Sequence, residues 1–294
     1  MTTTKAITLV TCARWPSLFA SDAALAEELT LRGHRVTTNP WNDAPLRSFT
    51  NADIVVLRAN WDYHHDMAAF EVWLGLVEAS DVALHNSATL VRDYLDKSYL
   101  ERLSAQGFPT PLTGRFDGLD DAAIIEWVTA NELDQFVIKP AWGASGHHVD
   151  LVRTVDLAAV HERWKADGAS RPVVIQELLP QIHDGERSLV FFDGQFSHGL
   201  LRRPAPGDFR ANSGYGGTMS LAVNIEPAMI ELGKRVLDQF PIPATYARID
   251  MVGQGNDLVL MEVEVNEPSL GLHLAPGSAA RFADVLLAGG SGSV

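Results

Sequence analysis

Short apolar runs alternate with amphipathic segments over the first part of the chain. The apolar runs predict strands at residues 6–12, 34–38, 51–57 and 82–85. Between them, Ser21 is the expected N-cap of a helix whose apolar stripe ends at Gly33, and residues 67–79 have the pattern of a second helix. Apolar strands that alternate with helices are typical of a parallel sheet covered on both faces. We therefore predict an α/β domain over residues 1–88.

The remainder of the chain mixes helices with strands and contains a hairpin signal. A long helix is predicted over residues 88–106, where Gly107 and a proline pair end it. Further helices are predicted at residues 121–131, 155–166 and 227–240. Further strands are predicted at residues 136–139, 149–152, 173–177, 188–192, 195–201, 245–252 and 258–265. Because Asp193–Gly194 predicts a tight turn between two of these strands, we expect the second part of the chain to be α+β.

Composition and charge exclude several classes of protein. The 294 residues include 23 Lys and Arg against 37 Asp and Glu, and the net charge of −14 removes the driving force for nonspecific nucleic-acid binding. No apolar run approaches the roughly 20 residues of a membrane span, so we expect no membrane partner. The single cysteine, Cys12, excludes an intramolecular disulfide framework and suits the cytoplasm. The tail 289–294 has the composition of a flexible segment, and formation of a homo-oligomer stays open.

Carboxylates concentrate near the end of the α+β region. Glu262, Glu264 and Asn266 are spaced two residues apart, so they share one face of a strand. We expect this strand to pair, through a turn at Gly255–Asn256, with the strand that carries Asp250. Oxygen ligands without His or Cys suit Mg²⁺ or Mn²⁺. A solvated strand face with alternating glutamates is the alternative interpretation.

Two other segments have the chemistry to bind anions. Lys139 ends a predicted strand and precedes the small-residue loop 141–146, whose backbone N–H groups could hold phosphates; an ordinary hairpin turn is the alternative. Arginines and glycines cluster over residues 202–217. Arginine side chains bind carboxylates and phosphates, so this segment is a candidate anion site; a surface loop with solvated arginines is the alternative. Arg248 precedes Asp250 by two residues and is expected on the same strand face.

A series of elements in order resembles the ATP-grasp superfamily over residues 86–274. The elements are Asp96-Lys97, Val137-Ile138-Lys139-Pro140, the small-residue loop, Ile175-Gln176-Glu177-Leu178, Asp184-Gly185-Glu186-Arg187, the Arg/Gly segment, Ala247-Arg248-Ile249-Asp250 and Glu264-Val265-Asn266-Glu267-Pro268. The resemblance implies an ATP-grasp fold preceded by a parallel-sheet domain that carries substrate specificity at residues 1–88. It further implies a central lobe with a lid at residues 89–176 and a C-terminal lobe with the metal site at residues 177–294.

Within that superfamily, the chain is similar to a group of small single-chain carboxylate–amine ligases that includes the cycloserine-forming cyclo-ligase. The similarity extends into the first domain. The matching segments are Leu9–Cys12, Leu57–Tyr63, Phe191–Gly194, Ser197–His198, Pro206–Arg210 and Glu267–Leu270. The chain differs from the group at Asn60, where threonine is usual, and at Asn266, because the group often lacks the metal-binding asparagine there.

The resemblance implies roles for individual residues. Nucleotide contacts are implied for Lys97, Lys139, Gly143, Ser145, Gly146, Glu177, Leu179 and Glu186. The implied metal ligands are Asp250, Glu264 and Asn266, and Glu262 receives no role. The side chains that would face the transferred phosphate are Arg210 and Arg248. Substrate contacts are expected from Trp15, Trp61, Tyr63, Arg203 and Ser269.

The implied activity is that of an ATP- and Mg²⁺-dependent ligase, with Mn²⁺ as an alternative metal. It would activate a small amino-acid-like carboxylate as an acyl phosphate and form an amide-type C–N bond, within one molecule or between two. Antibiotic biosynthesis is the implied process. Two interpretations from other classes are a noncatalytic nucleotide-binding regulator and a metal-dependent hydrolase. Neither of these would show ADP release coupled to condensation.

Overall fold

The computed structural model describes residues 3–166 and 172–289, so the predicted flexible tail lies outside the described residues except for Gly289. The first sheet contains β1 (Ala6–Thr11), β2 (Arg35–Pro40), β3 (Ile54–Leu57) and β4 (Ala83–His85). The connecting helices are α1 (Ala20–Leu31), α2 (Arg47–Thr50) and α3 (Met67–Glu78). The strands are parallel in the order β2-β1-β3-β4, and β3 is completely buried. The predicted parallel sheet is therefore confirmed.

The segment predicted as one helix over residues 88–106 forms two helices. They are α4 (Ala88–Leu95) and α5 (Tyr99–Ala105). Between them, Asp96 is extended, with ψ 118°, and its Oδ1 accepts a hydrogen bond from Ser98 N at 2.9 Å. Lys97 N donates to Ala141 O at 3.0 Å. The prediction is wrong because a bond to a distant loop replaces helical hydrogen bonding at Lys97.

The central sheet is antiparallel and has its own core. Its strands are β5 (Thr113–Phe116), β6 (Gln135–Pro140), β7 (Asp150–Arg153) and β8 (Val173–Glu177), in the order β5-β8-β6-β7. The helices α6 (Asp121–Ala130) and α7 (Leu157–Ala166) cover the sheet. Among the described residues, the core draws only on the segment 116–175, with Trp164 fully buried. We call residues 141–149, which connect two neighbouring strands of this sheet, the β6–β7 loop.

The third sheet, also antiparallel, contains five strands. They are β9 (Glu186–Phe192), β10 (Gln195–Arg203), β11 (Thr218–Leu221), β12 (Tyr246–Val252) and β13 (Val259–Glu264), in the order β11-β10-β9-β12-β13. The helices of this region are α8 (Pro227–Leu237) and α9 (Ser278–Ala288). The predicted hairpin between β9 and β10 is confirmed, because Asp193 and Gly194 have φ of 46° and 72°, as a type I′ turn requires. Helices α4 and α5 pack into the core beneath this sheet.

The first and third sheets share one core, which we call the junction. Leu9 and Val56 of the first sheet pack in it with Phe192 and with Phe282 of α9. The Tyr246 hydroxyl lies 2.8 Å from Leu57 O and 2.9 Å from Asn266 O. The carboxyl edge of the first sheet is therefore held against the chain that follows β13.

Five further details differ from the sequence predictions or were missed by them. Ser21 is not the N-cap: α1 begins at Ala20, and the buried Ser21 hydroxyl accepts a hydrogen bond from Leu272 N at 3.2 Å. The elements α2, β5, β11 and α9 were not predicted; α2, β5 and β11 have four residues each, too short for a clear periodicity. In the described part of the chain, we find no helix with the length and apolar character needed to cross a bilayer.

Candidate active site

One cavity lies between the central and third sheets. Its lining includes Lys97, Lys139, Gly143, Ser145, Gly146, Glu177, Leu179, Glu186, Arg202, Arg210, Glu262 and Glu264. All of the residues for which the resemblance implies nucleotide contacts are in this set. They come from the break between α4 and α5, from β6 and its loop, and from the β8–β9 connection. The fold therefore brings together side chains that lie far apart in the sequence.

Three carboxylates cluster at the floor of the cavity, where Glu262 and Glu264 line it and the fully buried Asp250 lies beside them. Asp250, Glu262 and Glu264 each offer an oxygen, and these oxygens lie within 4.8 Å of one another. The predicted pairing of β12 with β13 produces this cluster, since Asp250 lies opposite Glu262 and Arg248 opposite Glu264. A set of carboxylate oxygens fits a hard divalent cation. The structure thus places Glu262, for which the spacing allowed a metal-binding role but the resemblance implied none, inside the candidate metal site.

Asn266 lies just beyond β13 and is hydrogen-bonded to the first domain. Its Oδ1 accepts a hydrogen bond from Asn60 Nδ2 at 3.0 Å, and both side chains are buried. Asn266 Nδ2 and Asn60 Oδ1 are buried atoms without a hydrogen-bond partner. The role of Asn266 as a metal ligand therefore stays a prediction, because its oxygen already has a partner here.

Cationic side chains neutralise the carboxylates. Arg248 contacts Asp250 through Nε and Nη2 at 2.8 and 2.6 Å, and its Nη2 lies 2.7 Å from Glu264. Arg202 Nη1 lies 2.7 Å from Glu186 and 3.3 Å from Asp250. These bidentate and shared contacts hold the arginine forks in fixed positions.

The buried charges shift one another's pKa in opposite directions. Burial by itself would raise the pKa of Glu262, but Lys97 and Lys139 hold it at about 2. The pKa of Glu264 rises to about 7, because burial and the neighbouring carboxylates outweigh the attraction of Arg248. Burial lowers the pKa of Lys139 to about 8, and repulsion by Lys97 adds to the effect. Such opposed shifts are typical of binding and catalytic sites.

Lys97 links the cavity floor to the β6–β7 loop. Its Nζ lies 3.0 Å from Glu262 Oε1 and donates to Gly143 O at 3.0 Å. Burial opposes its charge, yet Glu262 and the other nearby carboxylates raise its pKa above the ordinary lysine value. The break between α4 and α5 places the Lys97 ammonium in the cavity.

The β6–β7 loop also contacts the third sheet's side of the cavity. Tyr215 donates its hydroxyl to Gly146 O at 2.9 Å, and a Cβ at Gly146, whose φ is 71°, would lie 2.9 Å from the Tyr215 ring. The guanidinium of Arg210 stacks 3.5 Å from the centre of that ring and pairs with Asp208 at 2.7 Å. Arg210 therefore lines the cavity beside Tyr215, which binds the β6–β7 loop through Gly146.

The predicted substrate residues occupy different environments. Trp15 and Trp61 meet edge to face at 5.8 Å, and Trp61 Nε1 donates to Glu267 O at 2.9 Å. Tyr63 is buried in the core beneath α3. The carbonyl of Ser269 lies 3.4 Å from Arg248 Nη1, so Ser269 borders the charged cluster.

Arg203 differs most from its predicted role. It is exposed and lies outside the cavity lining, whereas its neighbour Arg202 lines the cavity. The reason is strand alternation, because successive residues of β10 point to opposite faces. Arg202 lies opposite Glu186 in the β9–β10 pairing, and this register is the signal that could have selected it.

Comparisons with known proteins agree with this geometry. Residues 7–86 match the family described as the D-cycloserine synthetase DcsG N-terminal domain, and residues 101–272 match the prokaryotic glutathione synthetase ATP-grasp domain. The cycloserine biosynthesis protein DcsG of Streptomyces lavendulae is 30% identical over 274 residues, which cover 84% of this chain and 86% of that protein. Glutathione synthetase of Parasynechococcus marenigrum is 26% identical over 251 residues, covering 80% of this chain and 74% of that protein.

A solved structure gives the same result for the fold. The crystal structure of D-cycloserine synthetase DcsG superimposes with a TM-score of 0.80 and 24% identity, covering 96% of this chain and 99% of that one. The second family match spans more than half of the chain and includes the cavity on both of its sides. The predicted fold and reaction class are therefore confirmed: the chain belongs to the ATP-grasp family of ligases, which form C–N bonds using ATP and a divalent metal ion.

Proposed function

We propose that this ligase uses ATP and Mg²⁺ to activate a small amino-acid-like carboxylate as an acyl phosphate and then closes a ring through an amide-type C–N bond. The observation that carries the proposal is the arrangement of the cavity. Glu262 and Glu264 line the cavity together with Lys97 and Lys139 beneath a glycine-containing loop, and the buried Asp250 lies beside the two glutamates. This arrangement suits a polyphosphate chain with its metal ion.

The cavity residues divide the work by their chemistry. Lys97 and Lys139 would bind the phosphates, and Asp250, Glu264 and Asn266 would hold Mg²⁺ together with Glu262. Glu186, near the β8–β9 connection, would accept hydrogen bonds from the ribose hydroxyls. Main-chain groups at residues 177–179 would bind the adenine edge. Bound Mg²⁺ would supply charge neutralisation at the phosphates.

The central difficulty of the reaction is to bring two anions together. The substrate carboxylate must approach the γ-phosphate, and Arg210 and Arg248 offset the repulsion between them. The acyl phosphate must then meet an amine before water reaches it. Closure of the β6–β7 loop over the phosphates would exclude water. No side-chain nucleophile is required for either step.

The first domain supports a small substrate that closes a ring. Residues 7–86 match a family described by a cycloserine synthetase, so the similarity extends beyond the ATP-binding lobes. Trp15, Trp61 and Ser269 lie where the carboxyl edge of the first sheet meets the charged cluster. A tethered amine reacts with less loss of entropy than a free one. The buried Cys12 and the use of ATP support a cytoplasmic location, and a role in antibiotic biosynthesis follows from the same likeness.

A panel of amino-acid-like carboxylates, scored by Mg²⁺-dependent ADP release and by product mass, tests the proposal. Ring closure gives a product equal to one substrate minus water, and bimolecular ligation gives two different substrates minus water. Hydroxylamine replaces the amine and traps the acyl phosphate as a hydroxamate. A phosphorylated substrate without condensation would show a kinase, and turnover without ATP would show a hydrolase. Nucleotide binding without ADP release from any substrate would favour a regulatory protein.

A further inference from the structure

Lys97 makes two contacts that belong to different parts of the cavity. Its Nζ pairs with Glu262 of β13 at 3.0 Å, and the same atom donates to Gly143 O of the β6–β7 loop at 3.0 Å. The Lys97 side chain retains 14% exposure and that of Glu262 retains 26%. The ion pair is therefore open to the cavity on the side where a ligand would enter.

Arg248 provides a contrast within the same cluster. Its guanidinium contacts Asp250 through two nitrogens, also reaches Glu264, and its side chain is only 4% exposed. A planar fork held at several points is hard to displace, whereas a lysine is a point charge on a flexible stem. Of these two cations, Lys97 is the one that can change partners at little cost.

Glu262 has two competing uses. Its carboxylate is paired with Lys97, and it also lies within 4.8 Å of the ligand oxygens of Asp250 and Glu264. An ammonium and a divalent cation repel each other at such short range. Occupation of the carboxylate cluster by a metal ion therefore disfavours the Lys97–Glu262 pair, and phosphate oxygens offer Lys97 another partner.

We propose that Glu262 exchanges the Lys97 ammonium for the divalent metal ion when nucleotide binds, so that metal and nucleotide bind cooperatively through this one ion pair. The inference rests on the proposed binding of ATP and Mg²⁺ in this cavity. In the resting protein, Glu262 withholds Lys97 from the phosphates. In the loaded protein, Glu262 joins Asp250 and Glu264 at the metal, and Lys97 binds phosphate while it keeps its contact with the β6–β7 loop.

The exchange predicts opposite effects of one substitution with and without metal. In EDTA, Glu262→Gln releases Lys97 and should tighten ADP binding by about fivefold, as expected for the loss of one partly buried ion pair. With Mg²⁺, the same variant lacks a ligand, and the factor by which Mg²⁺ strengthens ADP binding should fall by about tenfold. Isothermal titration calorimetry with ADP, in EDTA and in Mg²⁺, measures both quantities.

Glu264→Gln is the matched control. It also removes one carboxylate from the cluster, but its partner Arg248 stays held by Asp250. Its ADP affinity in EDTA should stay within about twofold of wild type while the effect of Mg²⁺ falls. In a Lys97→Met background, the two glutamine variants should shift the affinity in EDTA equally. Thermal unfolding of each variant shows that it is folded.

Two results overturn the exchange. One is an unchanged Mg²⁺ enhancement in Glu262→Gln, and the other is equal ADP affinity of Glu262→Gln and Glu264→Gln in EDTA. If wild type binds no ADP even with Mg²⁺, the proposed function itself fails. If wild type binds ADP but the variants behave alike, only the exchange fails.

Discussion

The junction and the cavity both bury charge, but they balance it differently. At the junction, Arg58 Nε donates to Asp22 at 2.8 Å and Nη2 donates to Pro268 O at 2.5 Å, with both side chains at most 3% exposed. One cation pairs with one anion, and the carbonyls of Leu57 and Pro268 accept the remaining hydrogen bonds of the guanidinium. In the cavity, Glu264 has a pKa raised to about 7 while that of Glu262 is held at about 2.

The difference teaches how to distinguish a structural charge from one kept for a ligand. The Arg58 pair is closed, since the side chains of Arg58 and Asp22 are at most 3% exposed and partner each other inside the protein. In the cavity, Glu262 and Glu264 face open space, and the buried Asp250 beside them shares its oxygens between two arginines. Substitutions at the junction should therefore change stability, and substitutions in the cavity should change binding and turnover.

The largest expected effect is on turnover, in Glu264→Ala. Loss of a metal-binding carboxylate should lower kcat by at least about a thousandfold, because several kcal/mol of transition-state stabilisation depend on charge neutralisation. The fold should persist, and stability without metal should hold or rise slightly because repulsion with Glu262 is relieved. ADP release and thermal unfolding measure the two effects. Glu231→Ala, an exposed change on α8, is the control, and normal turnover of Glu264→Ala would move the metal site elsewhere.

The next effect is on stability, in Arg58→Met. The change leaves Asp22 buried without its partner, which should cost about 3–4 kcal/mol of unfolding free energy. Urea unfolding measures this cost. Adding Asp22→Leu removes the orphaned charge and should restore most of the stability. A double variant no more stable than Arg58→Met would show that the carboxylate is not the source of the loss.

A pH effect should separate the junction from the cavity as well. Burial, together with repulsion from Lys5, lowers the pKa of His85 to about 4, and its Nδ1 lies 2.7 Å from Thr245 Oγ1. In the unfolded chain His85 is protonated below about pH 6.5, whereas in the folded protein it stays neutral down to about pH 4. The fold therefore has its full stability, as far as His85 is concerned, above about pH 6.5. As pH falls from about 6.5 to 4, up to about 3 kcal/mol of this stability should be lost.

Urea unfolding of wild type and His85→Gln at pH 7 and pH 4.5 isolates the histidine from other titrating groups. Wild type should lose about 2 kcal/mol more than the variant between these two pH values. An equal loss in the two proteins would mean that His85 does not resist protonation in the folded state.

The smallest effect tests strand alternation at the edge of the cavity. Arg202→Leu should raise the KM for ATP about tenfold, because Arg202 pairs with Glu186 and lines the cavity. Arg203→Leu, its exposed neighbour, should change KM by less than about twofold. Steady-state kinetics compare the pair, and a stronger effect at Arg203 would restore the original prediction.

The sequence predicted those features that depend on local patterns. Apolar strands alternating with helices indicated the parallel first sheet, and Asp193–Gly194 indicated the hairpin, since both signals arise from short-range backbone preferences. The spacing of Glu262 and Glu264 likewise placed both on one face of a strand that pairs with β12. Most of the residues expected to contact the nucleotide line one cavity, and the resemblance carried by the order of the motifs is what selected them.

The features that were missed depend on contacts across the fold. The helix predicted through Lys97 is broken there, where the backbone of Lys97 bonds to the distant Ala141 and Ser98 N bonds to the Asp96 side chain. Arg202 and Arg203 are adjacent and chemically equal, so the register of β10 against β9 decides which one enters the cavity. The pairing of Lys97 with Glu262 joins residues that lie far apart in the chain, and no local pattern reports it.

The separate core of the central sheet has a mechanical consequence. Because this core draws on residues 116–175 among those described, we expect the central sheet and its two helices to move as a unit, held to the rest of the chain by the β6–β7 loop, whose Trp142 and Ala144 pack against the core of the first sheet. The chain enters this unit between α5 and β5 and leaves it after β8, so such a movement would pivot at these two connections. A nucleotide bound across the cavity would then restrict the movement of the central sheet relative to the third sheet. We expect bound nucleotide to slow amide hydrogen exchange in the β6–β7 loop more than in the junction.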